Sequence, residues 1–172
     1  MLGAQVGDRE APEDLLRAPQ PSLRRYLAGL AGADDADDLL QNVLIIVIRK
    51  IGDLEDPAVF RPWTFRIASR EAFRHLRKRR RSTEQHEDDS RLENLPGPEV
   101  RPSSELLRQL LATDVVSPAS RAVLIQHFQE DLSLPETAAI LDIPLGTAKS
   151  RLAYGLAAIR RYVAGLESKP PL

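Results

Sequence analysis

A chain of 172 residues, 42% hydrophobic and only 5% aromatic, has material for one domain or two small ones, and so few aromatics suit helical cores. With no cysteine it has no disulfides or thiolate chemistry; its longest apolar run, Val43 to Ile48, is far too short to span a bilayer, and no N-terminal segment resembles a signal peptide, so a cytoplasmic protein without membrane insertion is expected. The formal net charge is only −1 but the signs are segregated: residues 61–81 hold nine Lys/Arg against Glu71 alone, while residues 84–99 hold six acids against Arg91.

Residues 1–20 show no sustained periodicity, and a helix is expected around Leu23 to Leu30. Asp34, Asp35, Asp37 and Asp38 then crowd the first turn of a second helix, where carboxylates complement the dipole and can cap free N–H groups. A metal site is the rival use of such a cluster, but no matching ligands lie nearby in sequence, and none is expected. This helix runs to about Ile51, with Leu40, Val43, Leu44, Val47 and Ile51 facing the core. The VLIIVI run also fits a buried strand; the acidic start and the length of the pattern favour helix. Ile45, Ile46 and Ile48 fall outside the core face, so either a partner or another helix of the same chain covers them.

Gly52 to Pro62 reads as a turn region, and Arg61 to Arg81 as a helix with two characters. Phe65, Ala68, Ala72, Phe73 and Leu76 form an apolar side, whereas Arg66, Arg70, Arg74, Arg77 and Arg81 form a stripe on which Trp63 also falls. Like charges at i,i+4 cost roughly 0.2–0.5 kcal/mol per pair, so the stripe opposes stability unless something anionic meets it. A phosphate backbone is the simplest such partner; a membrane surface and a plain solvated face are the alternatives. Trp63 between the arginines favours nucleic acid, because an indole there can stack on an unpaired base or wedge between pairs.

From residue 82 to 104 periodicity is lost, acids accumulate and Pro96-Gly97-Pro98 intervenes, which predicts a flexible acidic linker between domain 1–81 and domain 105–172. In the second domain Leu106, Leu107, Leu110 and Leu111 share a face. Ser117-Pro118 caps and opens a helix through Phe128, and Ser133-Leu134-Pro135-Glu136 forms a capping box for a short helix. Asp142-Ile143-Pro144 ends that helix, and a further one from Leu145 to Val163 buries Leu145, Ala148, Leu152, Leu156 and Ile159. Two helices joined by a tight turn predict a helix-turn-helix, with Thr147, Lys149, Ser150 and Arg151 offered to bases and phosphates. The fold class expected is therefore all-α, in two small helical domains.

Two stretches now resemble one family in the right order. DADDLLQNVLIIVIRK followed by FRPWTFRIASREAFRHLRKRRR resembles region two of bacterial RNA polymerase sigma factors of the sigma-70 family, extracytoplasmic-function class, and LSLPETAAILDIPLGTAKSRL resembles region four. The resemblance implies a dissociable initiation factor that brings core RNA polymerase to promoters. Carried over by position, Asp38, Gln41, Asn42, Ile45 and Arg49 dock on the beta-prime clamp helices. Arg61, Trp63, Arg66, Arg70, Arg74 and Arg77 melt and hold the minus-ten element, and Thr147, Lys149, Ser150, Arg151 and Tyr154 read the minus-thirty-five element. It also implies a beta-flap contact for the second domain, a polymerase-threading role for the acidic linker, an anti-sigma partner and no cofactor. The chain departs from the family pattern at Asn42 and Arg74, both commonly acidic, along Leu44 to Ile48, and at Ala153 to Leu156, where arginines are usual. Gly155 within a helix should cost about 1 kcal/mol relative to Ala.

Two other classes of function fit the residues less well. His75, His86 and His127 are isolated in sequence with no nucleophile or Gly-rich loop beside them, so no catalytic constellation is expected. A stand-alone helix-turn-helix regulator is the second alternative; it normally needs a dimer seam and has no use for a separate basic helix bearing Trp63.

Overall fold

The computed structural model describes residues 16–83 and 115–167, which are helical with no strand and form two compact units. The expected linker beyond residue 83 and the Leu106, Leu107, Leu110 and Leu111 face lie outside the described residues.

The first unit is built from α1 (Gln20–Ala31), α2 (Ala33–Lys50) and α3 (Phe60–Thr83), all packed against one another, with short 3₁₀ turns at Ile51–Asp53 and Pro57–Val59. A single residue separates α1 from α2. Gly32 has φ 100°, a conformation open to glycine at little cost, and its N–H donates to the Ala28 carbonyl at 3.0 Å to close α1. The core joins Leu23, Tyr26, Leu27 and Leu30 of α1 to Ala36, Leu39, Val43 and Val47 of α2 and Phe65, Ala68 and Ala72 of α3. The Tyr26 and Phe65 rings meet edge to face at 5.4 Å between centroids. Ser69 Oγ lies 2.7 Å from the Phe65 carbonyl, to which it donates, and 2.7 Å from Tyr26 Oη. A serine has one hydroxyl proton, so Tyr26 is the donor to Ser69 and both buried groups are satisfied.

Three expectations are corrected here. The core face of α2 centres on Leu39, Val43 and Val47, whereas Leu40, Leu44 and Ile51 are only half-buried. The face covered by α1 and α3 is rotated by about 50° from the expected one, with Val43 and Val47 common to both, a rotation that an almost uniformly apolar stretch leaves undetermined. The acids at the start of α2 make no side-chain cap. They tie neighbouring helices instead: Asp37 takes a two-pronged hydrogen bond from Arg24 of α1 at 2.6 and 2.9 Å, and Asp35 meets His75 at 3.1 Å and Arg79 at 3.0 Å on α3. On α3 itself Phe73 and Leu76 are half-buried, and Thr64, Ser69 and Glu71 join the buried side.

The second unit contains α4 (Pro118–Phe128), α5 (Leu134–Leu141) and α6 (Leu145–Glu167). Ser117 Oγ accepts from the Ser120 N–H at 3.3 Å, with Pro118 at the first helical position, so α4 starts as its sequence predicts. Every residue from Ser120 to Gln126 is buried, which makes α4 the centre of the unit. The capping box of α5 is reciprocal: the Ser133 N–H donates to Glu136 Oε2 at 2.8 Å and the Glu136 N–H reaches Ser133 Oγ at 3.4 Å. Asp142, at φ 57°, and Pro144 supply the tight turn into α6, completing the helix-turn-helix.

Helix α6 buries Ala148, Gly155 and Ile159, leaves Leu152 and Leu156 half-buried, and exposes Leu145 at 39%. Leu145 is thus not a core residue, because it is the first residue of α6 and lies at the turn. Gly155 has a packing role that propensity alone misses. A Cβ there would sit 2.6 Å from Leu124 Cδ1 and 3.2 Å from Leu124 Cγ, with Leu124 wholly buried, so the missing side chain is what lets α4 and α6 approach.

Candidate nucleic-acid and partner interfaces

On α2 the residues Asp38, Gln41, Asn42, Ile45 and Arg49 are all exposed, and their spacing of i, i+3, i+4, i+7 and i+11 gathers them on one stripe. Ile48 flanks it. Ile45 is 41% and Ile48 55% exposed, whereas Ile46 is half-buried, so part of the apolar surplus of this helix is covered and part faces outward. The middle of the stripe, Gln41, Asn42 and Ile45, is uncharged and partly aliphatic; its ends are Asp38 and Arg49.

Helix α3 carries the basic stripe. Arg66, Arg70, Arg74, Arg77 and Arg81 are exposed and span about 80° of the helix circumference at roughly 100° per residue. Trp63 falls on the same sector, half-buried, its ring tilted against Phe60 at 6.1 Å. Arg61 does not join them: helical periodicity carries it to the other side, where its guanidinium lies 5.4 Å over the Phe65 ring. Arg74 pairs with Glu71, a buried acid to which no sequence pattern assigns a role although it is the only acid in the basic segment. A second basic row is already used inside the unit, since His75 and Arg79 hold Asp35 and Arg79 also donates to the Ala31 carbonyl at 3.3 Å. The arginine-rich helix therefore divides its cations between a fold-holding row and an outward one.

On α6 the buried direction is set by Ala148, Gly155 and Ile159, and the opposite direction by Gly146, Ser150 and Ala153. Lys149 stands on one flank of this outward ridge and Thr147, Arg151 and Tyr154 on the other. Lys149 is exposed; Thr147, Ser150, Arg151 and Tyr154 are half-buried. Ser150 Oγ donates to the Gly146 carbonyl at 3.0 Å, leaving its lone pairs as acceptors. Small residues flanked by cations form a surface on which the helix backbone can come close to a polyanion. Among the described residues no three His, Asp or Glu side chains gather as a metal site, and no helix is long and apolar enough to cross a membrane.

Comparison with known proteins gives this architecture a family. Residues 15–82 match Sigma-70 region 2 and residues 112–161 match Sigma-70, region 4. The chain is 33% identical to the ECF RNA polymerase sigma factor EcfG of Rhodopseudomonas palustris over 92% of its own length and 89% of that protein. It is 27% identical to the ECF RNA polymerase sigma-E factor of Escherichia coli K12, covering 86% and 84% of the two chains. Two solved structures share the fold. The sigma factor RpoE, in complex with the anti-sigma factor NepR from Bartonella quintana, aligns at a TM-score of 0.68 and 23% identity over 88% of this chain and 96% of that one. CnrH, in complex with the cytosolic domain of CnrY, aligns at 0.68 and 19% over 95% and 94%. The protein is a transcription initiation factor of the sigma-70 type, a class that works with core RNA polymerase on promoter DNA and is not enzymatic. Within that class the chain belongs to the extracytoplasmic-function family of sigma factors.

Proposed function

We infer that this sigma factor docks on the clamp helices of core RNA polymerase through the α2 stripe of Asp38, Gln41, Asn42, Ile45 and Arg49. In this reading the outward arginines of α3, with Trp63, open and hold the minus-ten element, and α6 reads the minus-thirty-five element through Lys149, Ser150 and Arg151, with Thr147 and Tyr154 alongside. The observation that carries it is the separation of surfaces: a mixed polar and aliphatic stripe on α2, a cationic stripe on α3, and a cationic flank on α6. Arg61, lying over Phe65, contributes to the minus-ten surface less than the five arginines of the stripe. The domain division follows the same lines, with region two through residue 81, a connector over 82–104 and region four from 105. When polymerase is not bound, an anti-sigma factor covers these surfaces; the solved complex of the structurally similar sigma factor RpoE with the anti-sigma factor NepR supports this.

Run-off transcription with purified core polymerase over a promoter library tests the assignment. The promoters that yield transcripts should share an upstream and a downstream motif. Sequence-specific duplex binding by the free chain, with no stimulation of core polymerase, would favour a stand-alone regulator instead.

A further inference from the structure

The exposed stripe of α2 has a direction. It begins with Asp34 and Asp38, passes through Gln41 and Asn42 to Ile45 and Ile48, and ends at Arg49, so one end is anionic, the middle is uncharged and partly aliphatic, and the other end is cationic. A helix with this pattern is complementary to itself when turned end for end. We propose that the free protein forms a weak two-fold dimer by pairing α2 antiparallel with α2 of a second copy, burying the same face that polymerase uses.

The register follows from helix geometry. Placing Ile45 opposite Ile45 of the second copy brings Ile48 beside Gln41 of that copy. At 1.5 Å per residue Asp38 lies about 10.5 Å and Arg49 about 6 Å from this centre along the axis, so Arg49 and the opposing Asp38 are offset by roughly 4.5 Å, within reach of an arginine side chain. The two-fold repeats this ion pair at both ends. A parallel arrangement forgoes it, since it sets Asp38 against Asp38 and Arg49 against Arg49. With a formal charge of only −1 per chain, no general repulsion keeps two copies apart. One helix pair buries less than the roughly 1,200 Å² of stable complexes, so a dissociation constant on the order of 10 μM is expected. The dimer stands on the stripe alone; its regulatory meaning, that self-association withholds the factor from polymerase, rests on the proposed docking function of that stripe.

Sedimentation velocity on the full-length chain, from about 1 to 200 μM to bracket that constant, reads the equilibrium. A concentration-dependent monomer–dimer transition is expected. Ile45→Glu, an exposed position whose retained fold is checked by circular dichroism, should weaken it at least about tenfold. Asp38→Arg and Arg49→Asp should each weaken it, while the two combined in one chain should restore it to within about threefold, because the ion pair reforms with reversed sign. A monomer at every concentration, a dimer indifferent to Ile45→Glu, or a double variant as weak as either single one overturns the proposal. Titration with core polymerase then tests the regulatory meaning: the wild-type dimer should dissociate into one-to-one complexes. Polymerase that binds the intact dimer refutes competition and leaves the dimer standing. A chain that dimerises but never binds polymerase removes the docking assignment and the competition together.

Discussion

Trp63 and the pair Lys149 and Arg151 allow the two proposed promoter surfaces to be separated by single substitutions. Trp63 is half-buried on the sector of the α3 arginines, and its removal should take away roughly 1–3 kcal/mol of base stacking. Trp63→Ala should therefore slow open-complex formation, measured by permanganate reactivity, while binding of core polymerase changes little; a template premelted across the minus-ten region should rescue it. Lys149→Ala and Arg151→Ala should weaken closed-complex binding and lower the salt slope by about 0.9 for each phosphate that is no longer neutralised, with no rescue by premelting. Equal rescue of both sets would defeat the division. Gly155 belongs to the same scale but to stability. Alanine gains about 1 kcal/mol of helix propensity, yet its methyl group would press on buried Leu124, and overpacking of this kind costs about 1–3 kcal/mol. Gly155→Ala should lower the denaturation midpoint; a rise would show that Leu124 moves aside freely.

At the level of helices, local signals are readable in the sequence and long-range ones are not. Ser117-Pro118 and the Ser133 to Glu136 box mark the starts of α4 and α5 because capping chemistry acts within one turn. The arginine stripe of α3 is likewise a matter of helical period alone. By contrast, the rotation of α2 is decided by what α1 and α3 cover, and a run apolar nearly all round carries no preferred face. The partners of Asp35 lie 40 and 44 residues away on α3, beyond any local pattern. Gly155 becomes intelligible only once Leu124 of α4 stands against it. The Arg24–Asp37 pair between α1 and α2 offers a pH test. The hydrogen bond from Arg24, aided by its charge, holds the Asp37 carboxyl below its ordinary value. A carboxylate depressed in this way contributes stability that is full above its unfolded value of about 3.9 and is lost as pH falls through the folded one. Because the pair is exposed, the contribution is small. Melting temperatures of wild type and Asp37→Asn should differ slightly at pH 6 and converge toward pH 2; a constant offset would deny the linkage.

Taken whole, the chain divides the cations proposed to meet DNA between two units, a stripe of five arginines on α3 and Lys149 and Arg151 on α6. Counterion release scales with the number of phosphates met, so dividing the cations should leave each unit by itself a weaker binder of duplex DNA at physiological salt than the two together. The isolated protein should bind promoter duplex weakly and without a defined footprint, and gain specificity when polymerase fixes both surfaces on one template, where the second contact becomes intramolecular. Footprinting with and without core polymerase measures this; a sharp footprint by the free chain would contradict it.

The one-residue link at Gly32 bears on how the first unit comes into being. Helices α1 and α2 are adjacent along the chain, so bringing them together closes a very short loop at little entropic expense, and contacts of this kind favour rapid folding. Helix α3 is synthesised later, and only then do His75 and Arg79 meet Asp35. An α1–α2 hairpin can therefore gather as the chain leaves the ribosome, and its unfilled apolar side provides the seat on which the polycationic helix settles, so that the row bearing His75 and Arg79 is fastened down as the remaining arginines are turned outward.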